Sequence, residues 1–428
     1  MLELEARALL TRLARVKPFA LHETMVPAAA PSDAALSAVE AYLADGRREL
    51  RSRVREFLAW LNGPGRSVTP PEAQRRFVFL RLRFNVVLSH FDVFADVLTQ
   101  RSEHEIGVWL AGLDSVAADA LHLEYYESPP VVCYLDRGHG AAIRRARTRL
   151  PGGGETPVAL IRVPRERMVG TGIGSSLVHE AGHQGAALLD LVNSLRTMLK
   201  QTAVAAPGPD RVSWGMWERW ISEIVADLWS ISRVGVGSTT GLMGVVSLPR
   251  AFVFRINEDD PHPSPWLRVR LSCAMGAALY PDSQWGKLSA LWASLYPLTD
   301  EVTPAQRSLI TAMERTMPEF VSRLLNHRPA ALRGDPLGKA LQDADRTPAR
   351  LRADFRQYGR SFTRLRATRP SRAMALLGQA RADGTLSPEQ ESRRLSDLLT
   401  FWALQHTRTQ HPGGRGKADR LRAKALTT

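Results

Sequence analysis

Five consecutive residues constrain this chain more than any other stretch: His179, Glu180, Ala181, Gly182 and His183, which read H-E-x-x-H. On a helix, side chains four residues apart leave the same face one turn apart. Two imidazoles placed in this way can reach one zinc ion with Zn–N bonds of about 2.0–2.1 Å. Glu180 cannot share that ligand position. Its carboxylate falls beside the metal, where it can accept a proton from bound water. The flanks predict a helix: Gly170, Gly172 and Gly174 give a flexible entry, and Ser175 and Ser176 are N-cap candidates. Leu188, Leu191, Val192, Leu195 and Leu199 then recur at helical spacing, which places the histidines early in one long, largely buried helix. Taken alone, the pattern also suits a helix with two hydrogen-bonded core histidines.

A third ligand would separate these readings. One class of zinc site needs a glycine three residues after the second histidine and another histidine six after it. Ala186 and Leu189 stand there and exclude that class. The other class takes a glutamate from a second helix. The stretch 217–231, WERWISEIVADLWSI, offers Glu223 with Asp227 one helical turn later, and Trp217, Trp220, Ile224 and Leu228 form the neighbouring apolar face. Glu218 is the rival, but Ser222 rather than an acid follows it at the equivalent step. Asp227 would then accept the outer N–H of a metal-bound histidine, fixing its tautomer and raising its basicity.

These residues resemble the gluzincin metallopeptidases, in particular the branch of the CAAX prenyl proteases and the bacterial heat-shock membrane proteases. The likeness rests on HEAGH, then EIVAD from Glu223 to Asp227, then HPSPWLR from His262 to Arg268, in that order. It covers roughly residues 157–275. Ser264 departs from the proline usual there, and the membrane spans of that branch are missing. The resemblance implies a zinc peptidase acting on a protein or peptide, with His179, His183 and Glu223 as ligands and Glu180 as general base. By resemblance only, His262 and Arg268 lie near the substrate or its oxyanion. The other class of function is a non-catalytic scaffold with the same fold; an intact Glu180 argues against it, because zinc binding alone does not require that residue.

The surrounding sequence predicts a predominantly helical α+β fold: a helical domain over 1–126, a zincin-like core over 127–300, a basic helical domain over 301–411 and a disordered tail over 412–428. Helices are expected at 1–16, 33–62, 71–100 and 104–123. Short strands are expected at 131–135, 141–150 and 158–163, the last two joined by the turn PGGGETP. In zincins such a sheet precedes the H-E-x-x-H helix, and its edge strand pairs with substrate. The glycine-rich segment 235–249 reads as a buried helix or a loop beneath the site. Further helices are expected at 267–296, 303–326, 347–366, 370–382 and 387–406.

The 428 residues are 44% hydrophobic and 23% charged, as in an ordinary soluble protein. No run is long enough to span a membrane and no signal pattern opens the chain, so a cytoplasmic location is expected, with signal-independent export left open. The two cysteines, Cys133 and Cys273, make no disulfide framework. Of the net charge of +14, most belongs to residues 329–428, with 20 Lys and Arg against 9 Asp and Glu. That excess suggests a polyanion such as nucleic acid, or an acidic protein, as a partner for this region.

Overall fold

The structure, a computed structural model, describes residues 1–410 except 17–24, 125, 137–141, 149, 151–154, 169, 258, 300–301 and 359–360. Four helices come first: α1 (Leu2–Arg15), α2 (Asp33–Asn62), α3 (Pro70–Thr99) and α4 (His104–Leu121). Three strands follow, β1 (Val131–Leu135), β2 (Ala142–Arg144) and β3 (Ala159–Val163). The rest is helical: α5 (Thr171–Leu188), α6 (Leu191–Ala205), α7 (Gly208–Arg219), α8 (Ile221–Val234), α9 (Val236–Val246), α10 (Arg250–Val253), α11 (Pro265–Leu279), α12 (Ser283–Leu295) and α13 (Pro304–Asn326). It closes with α14 (Leu337–Leu341), α15 (Pro348–Tyr358), α16 (Phe362–Arg366), α17 (Pro370–Ala382) and α18 (Pro388–Gln410). The protein is thus predominantly helical with one small sheet. Among the described residues, no helix is long and apolar enough to cross a membrane.

The sheet has the order β1-β3-β2, with β1 parallel and β2 antiparallel to the central β3. Alternate residues of a strand face opposite sides, and in β1 and β3 both sides are buried. Val131, Cys133, Leu135, Ala159, Ile161 and Val163 enter a core that runs from Leu110 to Trp402. Val132, Val158 and Leu160 enter a second core built by α1, α2 and α3. The larger core crosses the expected boundaries at 126 and 300: α18 packs along α4, and α17 packs against α8 and α9. A buried ion pair docks the sheet on α4. Arg101 binds Asp114 through both terminal nitrogens at 2.9 and 3.1 Å, while Asp114 accepts the backbone N–H of Cys133 at 2.6 Å.

Several expected elements are divided or shortened. The helix carrying the histidines does not run through to Leu199; it stops at Leu188, Asp190 takes a left-handed conformation (φ 48°), and α6 restarts at Leu191. His179 and His183 therefore sit mid-helix or later rather than early. Ser175 and Ser176 are not caps, because α5 already begins at Thr171 after Gly170 (φ 138°). The cap comes from far along the chain: Glu391 of α18 accepts the Thr171 backbone N–H at 3.0 Å and also its hydroxyl. The stretch 217–231 likewise breaks at Trp220, so Glu218 lies on α7 and Glu223 in the first turn of α8. The expected strand 141–150 shrinks to three residues because the chain turns at Arg147 (φ 60°), whose N–H bonds Thr156 O at 2.9 Å. Residues 235–249 form mainly α9, the buried-helix alternative. Most of the turn PGGGETP and the tail 412–428 lie outside the described residues.

Of the entry glycines, Gly172 and Gly174 mark contact, whereas Gly170 meets nothing within 4 Å and takes a positive φ. α5 lies against α9 so closely that a Cβ on Gly241 would overlap the Gly172 carbonyl oxygen. Gly241→Ala is therefore expected to destabilise the protein by about 3 kcal/mol, because backbone cannot yield as a side chain can. Gly244→Ala, three residues on in the same helix, meets nothing within 4 Å. It should leave stability unchanged or raise it by up to about 1 kcal/mol. Thermal denaturation of the two variants side by side checks this, and equal melting temperatures would contradict the packing.

Candidate metal centre

The histidine helix and α8 meet through small residues. A Cβ on Gly182 would stand 2.8 Å from Trp229 Cβ and 3.0 Å from the Ala226 backbone, and one on Gly185 would run into the Trp229 ring. Only glycine at these two positions lets the helices approach so closely. That approach sets the histidines of α5 opposite the acids at the start of α8. His179 Nε2 lies 3.2 Å from Glu223 Oε2, and His183 Nε2 lies 3.4 Å from Glu223 Oε1. One ligand atom from each of His179, His183 and Glu223 falls within 4.8 Å of the others, so this group can hold a metal ion.

The donor chemistry fits a divalent transition metal. Asp227 Oδ1 lies 2.8 Å from His179 Nδ1, which leaves Nε2 to face Glu223. The contact has the distance of the carboxylate–histidine pairs that fix a ligand's tautomer, with an angle outside that of a hydrogen bond. Arg268 in turn clamps Asp227, Nε to Oδ2 at 2.7 Å and Nη2 to Oδ1 at 2.8 Å. Arg268 also lines the cavity beside the site, but two of its nitrogens are committed to Asp227. His262 reaches the same carboxylate, with Nε2 3.1 Å from Glu223 Oε2. It is the accessible member, its side chain 45% exposed, and it is held from behind by Asp260, 2.9 Å from Nδ1. Glu218 stands apart and pairs with Arg196 and Lys200. Glu180 does not belong to the ligand cluster; it is 8% exposed and lines the neighbouring cavity of about 140 Å³.

Two supports were not read from the sequence. Asp260, two residues before His262, accepts the His262 backbone N–H at 3.0 Å, a turn that the Asp-Pro-His order could have signalled. Trp220 fixes the same loop through its indole N–H to Asp260 O at 3.2 Å. No local pattern announces a tryptophan forty residues away.

Burial of these charges shifts their protonation. Burial alone would lower the His179 pKa, but Asp227 and Glu223 outweigh it and lift the imidazole to about 9. Burial would raise both acids. Hydrogen bonds from His179, His183 and His262 instead hold Glu223 well below the ordinary carboxylate range, and Arg268 and His179 do the same for Asp227. Neither family models, curated proteins nor solved structures gave a match to the chain.

Two outcomes follow from this geometry. One divalent ion per chain should co-purify, and elemental analysis should find it lost in His179→Ala, His183→Ala and Glu223→Ala but kept in Glu218→Ala. Asp227→Asn should weaken the metal by roughly 10–100-fold. The second outcome is a proton count. With its pKa raised to about 9, His179 is protonated at pH 7 until a cation displaces the proton. Calorimetric metal titration in buffers of different ionisation enthalpy should then show release of about one proton at pH 7, declining as pH rises through 9. No release at pH 7 would exclude His179 as a ligand that gives up a proton.

Proposed function

We propose that this protein is a zinc-dependent hydrolase of peptide bonds, built on a zincin-like core. The observation that carries the reading is the position of Glu180. Glu180 lines the cavity that His179 and His262 also line, while taking no part in the donor set. His179, His183 and Glu223 would hold the zinc. Bound there, zinc supplies the Lewis acidity that makes water nucleophilic near neutral pH and polarises a carbonyl. Glu180 takes the proton from the attacking water and returns it to the departing amine. His262 Nε2, which faces Glu223 Oε2 at 3.1 Å, would turn to donate to the carbonyl oxygen as negative charge develops, with Asp260 holding the other ring nitrogen. Arg268 acts through Asp227: it keeps that carboxylate ionised and aimed at His179.

The order of sheet, α5 and α8 supports the zincin-like reading. Because β3 is central, an extended substrate would add at an edge, and β2 is the edge that is antiparallel to β3 and packs beside α5. The basic C-terminal region is proposed to attract acidic partners less strongly than its charge count implies, since Arg350, Arg352, Arg369 and Arg372 already pair with Asp354, Asp282, Asp119 and Asp345.

Glu180→Gln is the decisive variant. It should keep fold and metal and lose roughly 10²–10⁴-fold in hydrolysis of an unbiased peptide library at neutral pH. His262→Ala should cost roughly 10²–10³-fold with the metal retained. Cleavage untouched by Glu180→Gln would overturn the mechanism. Metal analysis bears on the class of chemistry, because two histidines and one carboxylate also form the facial triad of ferrous oxygenases. Iron in place of zinc, with no cleavage, would replace the hydrolase reading. Bound zinc with no cleavage would favour the non-catalytic scaffold.

A further inference from the structure

A cavity of about 760 Å³ opens among α15, α17 and α18 and shares no residue with the metal centre. Its volume lies in the roughly 300–1,000 Å³ range of small-molecule sites. Among the described residues Asp383 is the one acid lining it, and Arg352 takes up that charge: Nε lies 3.1 Å from Asp383 Oδ2, and Nη1 lies 2.7 Å from Asp282 Oδ2. Two further arginines line the same space. Arg356 is exposed and makes no ion pair among the described residues. Arg394 is half-buried, its guanidinium carbon 5.9 Å from the centre of the Phe355 ring. Phe355 and the buried Leu386 supply an apolar wall. The lining thus pairs two cationic forks with a flat hydrophobic surface.

We infer that this cavity is a binding site for a small organic oxyanion, a carboxylate or phosphate ester carried on an apolar, preferably aromatic body. The guanidinium groups of Arg356 and Arg394 take the oxyanion, since their planar forks match both carboxylate and phosphate. Phe355 and Leu386 take the body, which inorganic phosphate lacks. An oxyanion alone would leave the apolar wall wet, and a neutral aromatic would leave the charge of Arg356 without a counter-ion among the described residues. The ligand therefore has to offer both parts at once.

The test uses the full chain and four probes in calorimetric titration: phenyl phosphate, 3-phenylpropionate, inorganic phosphate and 3-phenylpropanol. Both aromatic oxyanions are expected to bind, the better of them about tenfold or more tighter than inorganic phosphate or the alcohol. Whichever is tighter names the oxyanion, phosphate or carboxylate. Arg356→Gln and Arg394→Gln should each weaken that probe about tenfold, with metal content unchanged. Arg356 is exposed, so its variant carries the test should Arg394→Gln fail to fold. Equal binding of the alcohol, unchanged affinity in Arg356→Gln, or no binding of either aromatic oxyanion at millimolar concentration would overturn the assignment.

Discussion

Two carboxylates, an arginine and two imidazoles lie together between α5 and α8, all largely withdrawn from water. So much buried charge is tolerable only when every member has a partner of opposite sign at hydrogen-bonding distance. The cluster meets that condition as a chain: Arg268 holds Asp227, Asp227 holds His179, and His179 and His183 face the two oxygens of Glu223. Each link depends on the helices being close enough for short side chains to meet. The architecture around the centre is largely what enforces that distance.

Enforcement is steric on one side and polar on the other. Gly182 and Gly185 let α5 sink onto Ala226 and Trp229, while Gly172 and Gly241 do the same where α5 crosses α9. Trp229 is then locked by its indole N–H to Ala120 O of α4 at 2.9 Å. The start of α5 is capped by Glu391, which satisfies end groups that would otherwise be buried without partners. The C-terminal helices are accordingly part of the frame that holds the histidine helix in place, through α18 on α4 and α17 on α8 and α9. This is a direct physical reason for one core to extend from Leu110 to Trp402.

His262 differs from the rest. It is nearly half exposed, sits on a loop and is aimed by Asp260 and Trp220 rather than by packing. A residue of this kind can move or donate where a buried side chain cannot, and the proposed hydrolysis gives it that role. Arg268 has the opposite character, buried and doubly bonded to Asp227. The two residues that a six-residue spacing makes look equivalent thus have different work, one at the mouth of the site and one at its base.

The sequence by itself determined many of the local parts: where most of the helical segments run, where β1 and β3 lie, and that His179 and His183 share one face with Glu180 beside them. Helical periodicity and turn residues act over a few positions, so they can be read from a few positions. It also offered Glu223 and Asp227 as a pair, because a four-residue step has only one meaning on a helix. Only the tertiary structure decided where the helices break, at Asp190 and Trp220, since each break serves packing against elements distant in the chain. It alone showed that Gly172 and Gly174 of the α5 entry are points of contact, that Glu391 caps α5 from 220 residues away, and that Arg268 is spoken for by Asp227. The reason is the same in each case. A side chain's partner across the fold leaves no mark in its own neighbourhood, and the charge or small size that prepares it for that partner fits an exposed surface equally well.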